Sequence, residues 1–143
     1  MKKTVIALFI AALLLFSVFA EGNKRQDCYV CGMWINQHMK TRHVVFMKDH
    51  KSHEFCSFAC LVRFVKENGS RVKRILAADF DTEKLIDAKK AFYVEGGDIP
   101  GVMSAVGRFA FATKEETEEF RKAHGGTSVS FDEAFAHQER DQE

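Results

Sequence analysis

Cys28-Tyr29-Val30-Cys31-Gly32-Met33 and, further along, Phe55-Cys56-Ser57-Phe58-Ala59-Cys60 hold all four cysteines of the chain. A CxxC turn lets two sulfurs converge on one point, and Gly32 supplies the positive φ that so tight a turn demands. Ser57 reads as the N-cap of a helix in which Phe58, Leu61, Val62 and Val65 recur at helical spacing. Cys56 then lies just before that helix and Cys60 in its first turn, so both thiols can face one side. A helix N-terminus favours thiolate over thiol. This knuckle-plus-helix layout is how many four-cysteine metal sites are assembled, and it gives the first half a treble-clef-like character. A disulfide within either pair would close a very small loop and constrain the unfolded chain little. The spacing therefore points to a metal site or a redox motif rather than to structural staples.

Outward from the cysteines the pattern is one of short elements. Residues 43–47 read as a strand, 48–52 as a turn and 53–55 as the returning strand. Asn68-Gly69 supplies a stop for the helix. Strands are expected at 72–80 and 91–94, a loop around Pro100 over 96–101, and another strand at 108–112. Thr113 caps a helix over 114–124, with Glu115 and Glu116 favourable in its first turn and Gly125-Gly126 closing it. A last short strand at 128–130 precedes a charged, helical tail. The fold class is α+β: the treble-clef-like, Cys-rich half is followed by a β-α-β type half, with short antiparallel hairpins and two main helices.

The chain begins with an address. Lys2 and Lys3 form a positive segment, residues 5–16 are an unbroken apolar run, and Val18-Phe19-Ala20 reads as a small-residue cleavage site. The run is shorter than a membrane-spanning helix requires, so cleavage after Ala20 and an exported, periplasmic location are expected, with no stable membrane insertion. Cys28 follows Arg25-Gln26-Asp27, which is no lipobox, so it is expected to be a free thiol in a soluble protein. The expected organisation is a signal peptide at 1–20, a flexible lead-in at 21–27, a Cys-rich metal-binding lobe at 28–70, an α+β lobe at 71–135 and a polar tail at 136–143. Loss of Lys2 and Lys3 leaves 19 basic against 20 acidic residues, a net charge of −1 with histidines neutral. No basic stripe stands out, which argues against a nucleic-acid partner.

Four thiolates in a tetrahedron suit zinc, whereas Cu(I) accepts fewer soft ligands and also thioethers. Met33, two residues beyond Cys31, is the nearest soft donor in sequence. Met39 and Met47 read as packing. His38, His43, His50 and His53 crowd the same stretch but read singly as solvated polar residues, with His50 in a turn. Cu(I) is the expected ion and Zn(II) the alternative. CxxC as a thiol–disulfide couple is a competing reading, although no thioredoxin-like pattern surrounds Cys28. Asp79, Asp81, Glu83 and Asp87 lack the spacing of a calcium loop and read as a solvated turn. His124-Gly125-Gly126 reads as a helix end with a glycine cap. There is no recognisable catalytic set, so the chain is not expected to be an enzyme.

The CxxCGM opening at Cys28–Met33 resembles that of the NosL family, accessory proteins of nitrous oxide reductase. Three further segments resemble the family in order: Ile86-Asp87-Ala88 with Ala91-Phe92-Tyr93-Val94-Glu95-Gly96; Val102-Met103-Ser104 with Arg108-Phe109-Ala110-Phe111; and His124-Gly125-Gly126 with Phe131-Asp132-Glu133. The resemblance implies a periplasmic copper chaperone that passes Cu(I) to a copper-receiving protein, either a client cuproenzyme or another assembly factor. It also implies Cys31 and Met33 as leading ligands and Met103 as a further donor. The family is similar in fold to parts of organomercurial lyases, while Phe55–Cys60 resembles the FCSxxC half of TRASH- and YHS-type modules. The combined ligand set is therefore Cys28, Cys31, Met33, Cys56, Cys60 and Met103.

Overall fold

A computed structural model describes residues 26–143; the expected signal peptide and most of the lead-in lie outside the described residues. The described residues form two antiparallel sheets and three α-helices. The first sheet has the order β2-β1-β3-β4, from Ser52–Phe55 (β2), His43–Met47 (β1), Val72–Ala78 (β3) and Leu85–Asp87 (β4). The second has the order β6-β5-β7, from Arg108–Phe111 (β6), Phe92–Glu95 (β5) and Thr127–Val129 (β7). The helices are Phe58–Asn68 (α1), Lys114–His124 (α2) and Phe131–Asp141 (α3).

β1 is paired on both edges, and four of its five residues are buried. It pairs His43 with Phe55 on one side and with Ala77 on the other. The first sheet thus draws β3 and β4 from beyond residue 70, so strand pairing crosses from the Cys-rich segment into the one that follows. β4 was not expected as a strand; its three residues hold register only by pairing Asp87 with Leu76 through Leu85 with Ala78.

β6 and β7 both run antiparallel to β5, so they are parallel to one another, and α2 crosses between them. This is a split β-α-β unit, matching the expected second half. α2 carries the capping box that Thr113 and Glu116 encode, each side chain bonding the other's backbone N–H. α3 begins with the same device, built by Ser130 and Glu133. The helical tail is thus three turns long and packed, because Ala134 and Gln138 on its inner face are buried.

Phe58 joins the two halves. Its ring lies 5.5 Å from His43, 5.4 Å from Tyr93 and 5.8 Å from Phe131, measured between centroids. One hydrophobic cluster therefore runs from the cysteines and Ile35 through Val45, Leu61 and Val62 to Tyr93 and Ala134. A second cluster under α2 gathers Val94, Phe109, Phe111 and Phe120, with Phe80 packed against it. Each fully buried Phe or Leu contributes about 1.5–3 kcal/mol.

Arg108 is a polar counterpart of this apolar joint. Its buried guanidinium donates to Glu95 at 2.8 Å, to Gln138 at 2.7 Å and to Asp141 at 2.7 Å, pinning α3 to the second sheet. From the end of α3, Gln142 donates to the Ala59 carbonyl at 2.9 Å, beside Cys60 in the first turn of α1.

Two readings of single residues are corrected. His43 is buried, not solvated, because β1 turns it towards Phe58. Asp79 is buried too: its carboxylate accepts from Thr82 Oγ1 and the Asp81 N–H, closing the turn from inside, while Asp81 and Glu83 stay exposed. Asn68-Gly69 does end α1, but Gly69 keeps right-handed backbone and leads into a 3-10 turn at Gly69–Arg71 rather than a left-handed cap.

Candidate metal centre

The turn at 28–33 is shaped by its own backbone. The Cys28 N–H donates to the Met33 carbonyl at 2.8 Å and the Gly32 N–H to the Cys28 carbonyl at 2.9 Å. Gly32 takes φ +75°, with nothing near the position a Cβ would occupy, so its conformational freedom is the whole requirement. The Tyr29 N–H donates to the Glu54 carbonyl at 2.9 Å, which docks the turn on the free edge of β2. That docking brings Cys28 and Cys31 to the strand that runs directly into Cys56.

The other two thiols are placed by the start of α1. Ser57 caps the helix, its Oγ accepting from the Cys60 N–H at 3.3 Å. Thr41 fixes the preceding residue by donating its hydroxyl to the Cys56 carbonyl at 2.7 Å. Nothing in the local sequence marks Thr41 for this task; it reaches Cys56 only because β1 and β2 pair.

The four sulfurs lie within 4.8 Å of one another. Cys31 Sγ is 3.4 Å from Cys56 Sγ, and Cys56 Sγ is 3.8 Å from Cys60 Sγ. A tetrahedron of sulfurs about 2.3 Å from a central ion has edges of about 3.8 Å, so the cluster has the size of a thiolate metal site. All four cysteines are free. Cys28, Cys56 and Cys60 are 3%, 0% and 1% exposed, whereas Cys31 is half-buried and forms the open side.

The cluster is electrostatically uneven. The S–H groups of neighbouring thiols, Cys56 foremost, point at the Cys60 sulfur and hold its pKa below the ordinary thiol range, and Ser57 assists. Cys56 is pushed up correspondingly, because its proton is held on Cys60, and burial adds to this. Burial also pushes the Cys31 thiol up, partly opposed by the Met33 backbone N–H directed at its sulfur.

The remaining expected donors are distributed differently. Met33 packs half-buried against the cluster that contains the buried cysteines. Met103 is 48% exposed at φ +59°, and lines an open cavity with Arg63, Gln138, Asp141 and Gln142 rather than with the thiols. Met47 is core, and the Met39 sulfur accepts from Arg42 at 3.7 Å, in line with packing roles for both. His53 stacks on Tyr29 with centroids 4.1 Å apart, bracing the turn from outside. His50 sits at φ +68° in the β1–β2 turn, and His124 pairs with Asp98 at 2.9 Å. Among the described residues no helix is long and apolar enough to cross a membrane.

Comparison with known proteins identifies a family and a solved structure of similar fold. The family model for NosL matches residues 20–137. The crystal structure of the copper chaperone NosL from Shewanella denitrificans is 27% identical, with a TM-score of 0.67, over 78% of this chain and 90% of that one. No curated protein matches.

Proposed function

The chain belongs to the NosL family, and from that premise we propose that it is a periplasmic metallochaperone that carries Cu(I) to a copper-receiving protein. The client in this reading is a cuproenzyme such as nitrous oxide reductase, or another factor in its assembly. The protein is a carrier and not an enzyme, and copper is its cargo. The 28–70 segment is the metal-binding lobe in this proposal, and the 71–135 lobe supports it. Cys28, Cys31, Cys56 and Cys60 are the ligand set, with Met33 beside them and Met103, on the loop between β5 and β6, as a further thioether donor.

The observation that carries the reading is the asymmetry of the cluster. Four sulfurs meet within 4.8 Å, yet three belong to buried residues and Cys31 alone is partly exposed. A carrier needs ligands that hold the ion and an edge from which it leaves. Soft thiolates with an adjacent thioether favour Cu(I), and exchange at Cys31 gives a partner's donor a place to enter. The solved relative described as a copper chaperone supports the same choice of cargo.

A second reading has its own support. The buried cysteines belong to the main hydrophobic cluster, as a structural zinc site would. Titration of the reduced, oxygen-free protein with Cu(I) and Zn(II) against competing chelators separates the two. The carrier reading expects Cu(I) to bind far more tightly and circular dichroism of the metal-free form to stay folded. It also expects Cys31→Ser and Met33→Leu each to weaken Cu(I) binding. Zinc retained through chelation, with unfolding when it is removed, would establish the structural reading instead.

A further inference from the structure

We propose that Cys31 and Cys56 form a reversible oxidation site, closing to a disulfide that withdraws two of the four sulfurs from metal binding. The proposal shares its thiols with the carrier reading but does not depend on which ion they hold.

Access decides where the chemistry starts. Cys28, Cys56 and Cys60 are almost wholly buried, so an external disulfide cannot approach them, and Cys31 is the one partly open thiol of the group. Distance decides where it ends. Cys56 Sγ lies 3.4 Å from Cys31 Sγ, in direct sulfur–sulfur contact with the open thiol. A covalent S–S bond of about 2.05 Å requires the two sulfurs to approach by roughly a further 1.4 Å, the scale of a small side-chain rotation. Cys31 sits in a glycine-hinged turn on the edge of β2, whereas Cys56 is held by the Thr41 bond to its carbonyl, so the movement falls on Cys31.

The steps balance with a small-molecule disulfide as the oxidant. The Cys31 sulfur attacks one sulfur of that disulfide, a mixed disulfide forms at Cys31, and one thiol leaves carrying the Cys31 proton. Cys56 then gives its proton to the Cys60 sulfur it already faces and attacks the Cys31 sulfur, the Cys31–Cys56 bond forms, and the second thiol leaves with that proton. Two hydrogens pass to the oxidant, which is reduced to two thiols. An external dithiol reverses both steps. In an exported protein this makes the capacity for soft metal depend on a thiol–disulfide reductant.

The purified, reduced, metal-free protein is incubated with oxidised glutathione, quenched by alkylation and mapped by peptide mass. The expected result is a fall from four free thiols to two, with a single Cys31–Cys56 cross-link, and recovery of four thiols on adding dithiothreitol. Cys56→Ser should instead accumulate glutathione on Cys31, and Cys31→Ser should keep its three thiols free. A Cys28–Cys31 cross-link, four thiols surviving the oxidant, or no recovery with dithiothreitol would overturn the proposal. So would glutathione on any other cysteine of Cys56→Ser. The readout is covalent and metal-free, so it can fail while copper binding stands, or succeed while copper binding fails.

Discussion

Lowering the pH from 7 to 5 should cost the protein about 2 kcal/mol of stability through His43 alone. Its imidazole is 2% exposed, packed in β1 against Phe58. Nδ1 lies 3.0 Å from the Thr41 carbonyl, which can only accept, so Nδ1 carries the proton, and the buried Nε2 has no partner. A second proton would place a charge inside the core, and burial therefore holds the pKa down to about 4, against 6.5 for the free side chain. The unfolded chain takes up this proton below 6.5 and the folded one only below about 4. Stability from the neutral ring is thus fully present above pH 6.5 and is lost as the pH falls through that window. The linkage amounts to roughly 0.2 kcal/mol at pH 7, about 2 kcal/mol at pH 5 and at most about 3.4 kcal/mol in strong acid. Urea unfolding at pH 7 and pH 5, for the wild type and for the non-titrating His43→Gln, isolates the term because other groups, Cys60 among them, titrate in both. The wild type should lose about 2 kcal/mol more than the variant. Equal losses in the two proteins would show that His43 is not held neutral by burial, and the reasoning would fail.

Arg108→Met should destabilise the fold by about 3–5 kcal/mol, because it leaves the buried Gln138 oxygen without its donor and takes the guanidinium from Glu95 and Asp141. A loss below about 1 kcal/mol in urea titration would mean that the α3 dock rests on apolar contacts alone. Ser57→Ala should cost about 1–2 kcal/mol, since the Cys60 N–H it caps is buried at the start of α1. An unchanged melting temperature in the metal-free protein would contradict that account of the cap.

How much was legible in the sequence varied with the range of the physics involved. The α2 helix was readable residue by residue, because Thr113, Glu115 and Glu116 act within its first turn and Gly125 within its last. The same holds for the Cys28–Met33 turn, whose Gly32 takes the positive φ its position calls for, and for the Ser57 cap that sets Cys60 in the first turn of α1. Charge and burial were harder. Nothing local distinguishes His43 from the solvated histidines around it, and Asp79 resembles its exposed neighbours until the chain folds over it. β4 has no signal of its own, since three residues become a strand only when β3 offers an edge.

By itself, then, the sequence determined the α+β class, the local shape of each cysteine pair and the family to which the chain belongs, because capping, turn chemistry and motif order are short-range properties. Tertiary structure alone decided that the two pairs meet, through the turn docking on β2 and Thr41 holding Cys56. It also decided that three of the cysteines are buried while Cys31 stays partly exposed, and that Met103 lies on a separate cavity. Those outcomes depend on which strand edges pair and which faces a helix covers. Such contacts join residues far apart in the chain, and no spacing along it encodes the distance between them.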